Sequence, residues 1–96
     1  MRPSDAVKAK RGEILALARD AGALGVRVFG SVARGEDTAS SDLDLLISPG
    51  PQMSLFEFAG LRIDMEKLLG VRVDLVSEGG LHPLLRSRVL AEARPL

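Results

Sequence analysis

Two short apolar runs, VRVF (Val26–Phe29) and LDLLIS (Leu43–Ser48), bracket a polar stretch that opens with Gly30-Ser31 and closes on Asp42-Leu43-Asp44. Each run has the length and composition of a strand. A glycine directly after the first lets the backbone turn with no Cβ in the way. Residues two apart on a strand share a face. Val26 and Val28 therefore face one way, Arg27 and Phe29 the other. At the start of the second strand the same alternation projects Asp42 and Asp44 together, while Leu43 and Leu45 turn into packing. The rest of that run is apolar without interruption, so the strand is expected to be covered on both faces.

Two carboxylates one pleat apart repel unless a cation lies between them. Their hard oxygens suit Mg²⁺ or Mn²⁺. A third acid, Asp74, stands in the later strand VRVDLV, on the face of Arg72 and Val76 and opposite Val71, Val73 and Leu75. An aspartate buried in so apolar a strand is costly unless paired or metal-bound. If the two strands are neighbours, Asp74 joins Asp42 and Asp44. Three carboxylates can bridge two metal ions about 3.5–4 Å apart, the arrangement used for in-line phosphoryl displacement. Taken singly, each acid is more simply a turn, capping or ion-pair residue, with Arg72 or Arg27 as partners for Asp74. The Gly30-Ser31 turn changes that weighing. N–H groups at a helix start bind anions, Ser31 adds a hydroxyl donor, and Arg34, one turn on, can reach the same phosphates.

Helical segments surround these strands. Ser4 is the expected N-cap of a first helix, with Val7, Ile14, Leu17, Ala18 and Ala21 near one face, Gly22 as its stop, and Lys8, Lys10, Arg11 and Arg19 on a solvated side. SVARGE allows one helical turn. In SLFEFAGLRIDMEKLLG, Ser54 and Glu57 form a capping box, Phe58, Leu61, Met65 and Leu68 recur at helical spacing, and Gly70 closes the helix. EGG is a turn. His82-Pro83 starts a last helix, with Pro83 near its first position and Leu85, Val89 and Ala93 along one side. His82, the sole histidine, is expected at that helix start, and Glu36 and Asp37 in a solvated loop. The fold class is α/β of the α+β kind: a small mixed sheet of about three strands packed with helices, in a single domain spanning residues 1–96.

Composition removes several function classes. There is no cysteine, so no disulfide framework, thiolate zinc site or thiol nucleophile. No apolar run approaches the ~18 residues of a membrane span, and no leader segment is evident, so a cytoplasmic protein is expected. Lys plus Arg and Asp plus Glu balance at 13 each, which argues against direct nucleic-acid binding through net charge.

Gly30-Ser31, ten residues, then Asp42-Leu43-Asp44 resembles the GS-x10-DxD signature of the polymerase-beta-like nucleotidyltransferase superfamily. The fuller GSVARGE and SDLDLL, with VDLV and the LHPLLRSRVLAEA ending, look like its minimal nucleotidyltransferase branch, small prokaryotic proteins paired with HEPN-domain partners. The resemblance runs from about Val26 to the end of the chain. It implies the superfamily's fold, ATP as substrate, and two Mg²⁺ ions (Mn²⁺ as a substitute) held by Asp42, Asp44 and Asp74. It implies Asp74 as base for the attacking hydroxyl, and Gly30, Ser31 and Arg34 as triphosphate contacts. Unlike larger relatives, the chain shows no separate acceptor-binding domain.

The expected function is therefore transfer of AMP to a hydroxyl of a HEPN-domain toxin, with this chain as antitoxin. Two alternatives stand beside it: neutralisation by binding alone, and nucleotidyl transfer to a small molecule. Self-association is left open.

Overall fold

In the computed structural model, which describes all 96 residues, the chain runs α1 (Pro3–Asp20), β1 (Ala23–Phe29), α2 (Gly30–Arg34), β2 (Leu43–Pro49), α3 (Leu55–Leu69) and β3 (Val73–Ser77). A 3-10 turn at Glu78–Gly80 leads to α4 (Pro83–Glu92) and β4 (Arg94–Pro95). The sheet has four strands in the order β3-β2-β1-β4. β2 pairs antiparallel with β1 and parallel with β3, while β4 pairs antiparallel with β1. The class is the one expected, a small mixed sheet packed with helices, with one strand more than expected. That fourth strand is only two residues, Arg94 and Pro95, set against Val28 and Arg27. So short a segment carries no period that a sequence could display.

Register sorts the side chains into two faces. Val28, Leu45 and Leu75 lie in one row across the sheet, and Val26 pairs with Ile47. These residues join Leu43, Val73, Ile14, Ala18, Leu61, Met65 and Leu69 in the core, which fills the space between the sheet and helices α1 and α3. Leu43, Leu45, Ile47, Ile14 and Met65 are fully buried. Truncating any one of them to alanine costs about 2–5 kcal/mol. The opposite face carries Phe29, Asp44 and Asp74 in one row and Arg27, Leu46 and Val76 in the next. Leu46 is also buried, beneath the 3-10 turn, so β2 is covered on both faces as its apolar run implies. An ion pair between Arg27 and Glu78 closes over that part of the sheet.

The helix ends follow their caps. Ser54 accepts from the Glu57 backbone N–H at 3.2 Å and Glu57 Oε1 accepts from the Ser54 N–H at 3.0 Å, so the expected capping box is formed. Gly70 takes the left-handed conformation at the end of α3, with φ +68°. His82 caps α4, its Nδ1 accepting from the Leu84 N–H at 3.2 Å, and Pro83 is the first residue of the helix. At α1 the sequence expectation fails. The N-cap is Arg2, and Ser4 sits inside the first turn. Its N–H is capped instead by Asp37, which arrives from the loop after α2 and accepts at 2.9 Å. Asp37 is accordingly buried rather than solvated. The first strand also starts at Ala23, earlier than its apolar content suggests, because pairing with β2 continues to Pro49. No helix is long and apolar enough to cross a membrane.

Candidate active site

The site is built at one end of the row Phe29–Asp44–Asp74, on the sheet face turned away from α1 and α3. β1 ends at Phe29, and Gly30 swings the chain into α2 with φ +74°. A Cβ at Gly30 would stand 2.1 Å from Oδ2 of Asp44. Only glycine fits, for two reasons: the left-handed backbone, and the carboxylate lying against it. The Gly-Ser turn and the second aspartate of the DxD motif are thus one packed unit. Ser31 follows on α2, half-buried beside it.

Asp44 is half-buried among negative charge. Its carboxyl is pushed up to about 6, first by desolvation, then by Asp74 and Asp42. Glu92 adds to the shift and Arg34 opposes it. Asp74 sits directly opposite Asp44 in the parallel pair β2–β3, so the adjacency expected of these strands is realised. Asp74 is exposed, however, and its place in an apolar strand involves no burial cost. Its face of β3 simply looks outward at the sheet edge. The alternative partners considered for it are taken: Arg72 pairs with Asp42 at 3.7 Å and Arg27 pairs with Glu78.

Asp42 lies just before β2, at the strand start expected for it, and its side chain pairs with Arg72. No three His, Asp or Glu side chains are gathered closely enough, as they stand, to hold a metal ion. The donor set nevertheless fits a hard divalent cation. It consists only of carboxylate oxygens. Desolvation and the neighbouring Asp74 and Asp42 charges raise the Asp44 carboxyl, and such a cation would favour its ionised form. Beyond Asp74 an open cleft of about 320 Å³ is lined by Asp42, Asp74, Val73, Arg62, Glu66 and Arg72. It offers an approach to the acids from the side opposite Gly30.

The loop that delivers Asp42 is held at several points. Asp37 fastens it to α1. The Thr38 N–H donates to Ser41 Oγ at 2.9 Å, and the Ser41 N–H returns a bond to the Thr38 carbonyl at 3.1 Å. The Leu43 N–H then donates to the Arg72 carbonyl at 2.8 Å, which locks the start of β2 onto β3. Arg34 ends α2, with Nε donating to Glu36 Oε1 at 2.8 Å and Nη1 donating to Glu92. Glu36 is exposed as expected but is engaged. Glu92 was invisible to sequence reasoning: it is the last residue of α4, and only packing of α4 against α2 brings it to the site.

The family model of the nucleotidyltransferase domain matches residues 13–96. A protein of Methanocaldococcus jannaschii assigned as a protein adenylyltransferase is 41% identical over 66 residues, 69% of this chain and 71% of the relative. The protein adenylyltransferase MntA of Thermococcus cleftensis is 42% identical over 67 residues, 70% of this chain and 68% of the relative. A solved structure assigned as a minimal nucleotidyltransferase superposes with a TM-score of 0.86 at 52% identity, covering 97% of this chain and 95% of that one. A toxin–antitoxin complex solved with AMP-PNP shares the fold, with a TM-score of 0.75 over 88% of this chain and 69% of that one, at 22% identity. Sequence kinship over most of the chain and a common fold over nearly all of it make this protein a member of the nucleotidyltransferase domain family, a nucleotidyltransferase of the minimal kind.

Proposed function

We propose that the protein transfers AMP from ATP to a hydroxyl of a partner protein, that the reaction depends on a divalent metal, and that the partner is a HEPN-domain toxin which this antitoxin neutralises. The observation that carries the reading is the register of Asp44 with Asp74, with the Gly30 turn packed against Asp44. Support also comes from relatives that bear the name protein adenylyltransferase and from the toxin–antitoxin fold solved with AMP-PNP.

In this reading the acceptor oxygen attacks the α-phosphorus of ATP in line. The bond from that phosphorus to the oxygen bridging to the β-phosphate breaks, and pyrophosphate leaves. Asp74, exposed beside the open cleft, orients the hydroxyl and accepts its proton. Asp42, Asp44 and Asp74 would hold the Mg²⁺ ions, or Mn²⁺ in their place. When bound, the ions stabilise charge that develops on the α-phosphoryl group. The Gly30 turn presents the start of α2 to the triphosphate, Ser31 offers a hydroxyl, and Arg34 takes part of the charge on the departing pyrophosphate.

The test is to incubate the protein with its purified partner, Mg²⁺ and α-labelled ATP. Label is expected on the partner and absent with an Asp42→Asn, Asp44→Asn double variant. An unlabelled partner, with nucleotide and metal both shown to bind, would sink protein modification. A second reading, neutralisation by binding alone, draws on Leu84 and Leu85, which stand 86% and 51% exposed on α4. It predicts that the double variant neutralises the toxin as well as the wild type does.

A further inference from the structure

Arg34 is held on two sides. Glu36, two residues on, is a surface partner whose side chain is 61% exposed. Glu92 is different: its side chain is only 18% exposed, and it reaches Arg34 from the far end of the chain. Nε of the guanidinium donates to Glu36 and Nη1 donates to Glu92, which leaves Nη2 with no hydrogen-bond partner in the protein. A guanidinium is planar, so fixing two of its nitrogens fixes the direction of the third. Arg34 also lies close enough to Asp44 for its charge to oppose the rise of that carboxyl.

We infer that Glu92 is a positioning residue, which acts through Arg34 by aiming the free Nη2 at the nucleotide triphosphate. The inference rests on the reading that Arg34 contacts phosphate. The carboxylate is set where a long arginine would otherwise lose side-chain entropy on binding, so its contribution appears as nucleotide affinity. It also couples α4 to the site, because Glu92 is the last residue of that helix. A displacement of α4 would therefore be felt first as slack in Arg34.

The experiment measures AMP-PNP affinity in Mg²⁺ by calorimetry for wild type, Glu92→Ala, Glu92→Gln, Arg34→Ala and the Arg34→Ala, Glu92→Ala double variant. Glu92→Ala is expected to weaken binding by about fivefold to tenfold, the net scale of one hydrogen bond. Glu92→Gln keeps an acceptor oxygen for Nη1 and stays within about twofold of wild type. In the Arg34→Ala background, removal of Glu92 changes nothing further. Glu92→Asp keeps the charge but withdraws it by one methylene. It is expected to match the alanine variant, and replaces it if that variant does not fold. Wild-type affinity in Glu92→Ala, with Arg34→Ala impaired, overturns the positioning role alone. A loss that persists in the Arg34→Ala background overturns it too, since Glu92 would then act on the site directly. Wild-type affinity in Arg34→Ala overturns the phosphate reading itself and the positioning role with it.

Discussion

Asp37, in the loop after α2, and Asp44, the second residue of β2, stand seven positions apart, and both are withdrawn from bulk water. Their protein environments push them in opposite directions. Asp37 accepts from the Ser4 backbone N–H, which holds its carboxyl below the ordinary range. Asp44 is desolvated beside Asp74, Asp42 and Glu92, and its carboxyl is raised to about 6. Burial alone thus says nothing of function. Asp37 meets a donor at a helix start and is satisfied, a structural acid. Asp44 meets other acids and a glycine turn, and its charge remains to be balanced by something that binds.

Exchanging the two losses gives the largest contrast. Asp44→Asn is expected to lower adenylyl transfer by roughly 10³-fold or more, since it removes a proposed metal ligand. The same change should raise the melting temperature of the metal-free protein at pH 7.5. Asp37→Ala should do the reverse. It costs about 1–2 kcal/mol by leaving the α1 start uncapped, read as a lower denaturant midpoint, and leaves transfer within a few-fold of wild type. If Asp37→Ala proved as inactive as Asp44→Asn, the distinction between them would collapse.

Gly30→Ala attacks the packing that separates Asp44 from its neighbour. The added methyl would lie 2.1 Å from Oδ2 in a backbone at φ +74°. A cost of about 1–2 kcal/mol is expected from the left-handed conformation alone. Asp44 must then shift, so transfer should fall on the order of 10²-fold. An active, stable Gly30→Ala protein would show that the close approach is not required.

The dependence of stability on pH sharpens the comparison more gently. Asp44 binds its proton more tightly folded than unfolded, where the ordinary value is 3.8. It therefore contributes stability below 3.8 that is lost as pH rises through about 6. Asp37 contributes stability above 3.8 that is lost as pH falls through its lowered folded value. Unfolding of the metal-free protein across this range should reveal both slopes. Asn at position 44 flattens the upper one and Asn at position 37 the lower. Mg²⁺ binding should weaken below about pH 6, where protons compete for Asp44. For the stability of the metal-free protein, Asp74→Asn is the mildest change. It removes one charge that raises Asp44, so the upper slope moves to lower pH and the metal-free protein gains a little stability at neutral pH.

Alternation within VRVF, LDLLIS and VRVDLV placed Val26, Val28, Leu43, Leu45, Val73 and Leu75 on the core face and Asp44 and Asp74 on the other. The capping box at Ser54 and Glu57, the stop at Gly70 and the start at His82-Pro83 were legible because each rests on contacts within a few residues. The GS and DxD elements were legible for a similar reason: a turn and a two-residue strand period are local geometry.

Tertiary structure alone decided what depends on partners distant in sequence. It gave Asp37 to α1, thirty-three residues away, and made a surface-looking loop acid a buried cap. It drew Asp42 to Arg72 and left Asp74 exposed, so the three carboxylates line an edge rather than a closed cage. It brought Glu92 to Arg34 by packing α4 against α2 and added β4 beside β1. The sequence by itself determined the three longer strands, the glycine turn and the acids that share a face, since these follow from backbone periodicity. Which charges neutralise one another, and which remain free for a ligand, was settled only when the chain packed, because electrostatic partners are chosen by distance in space.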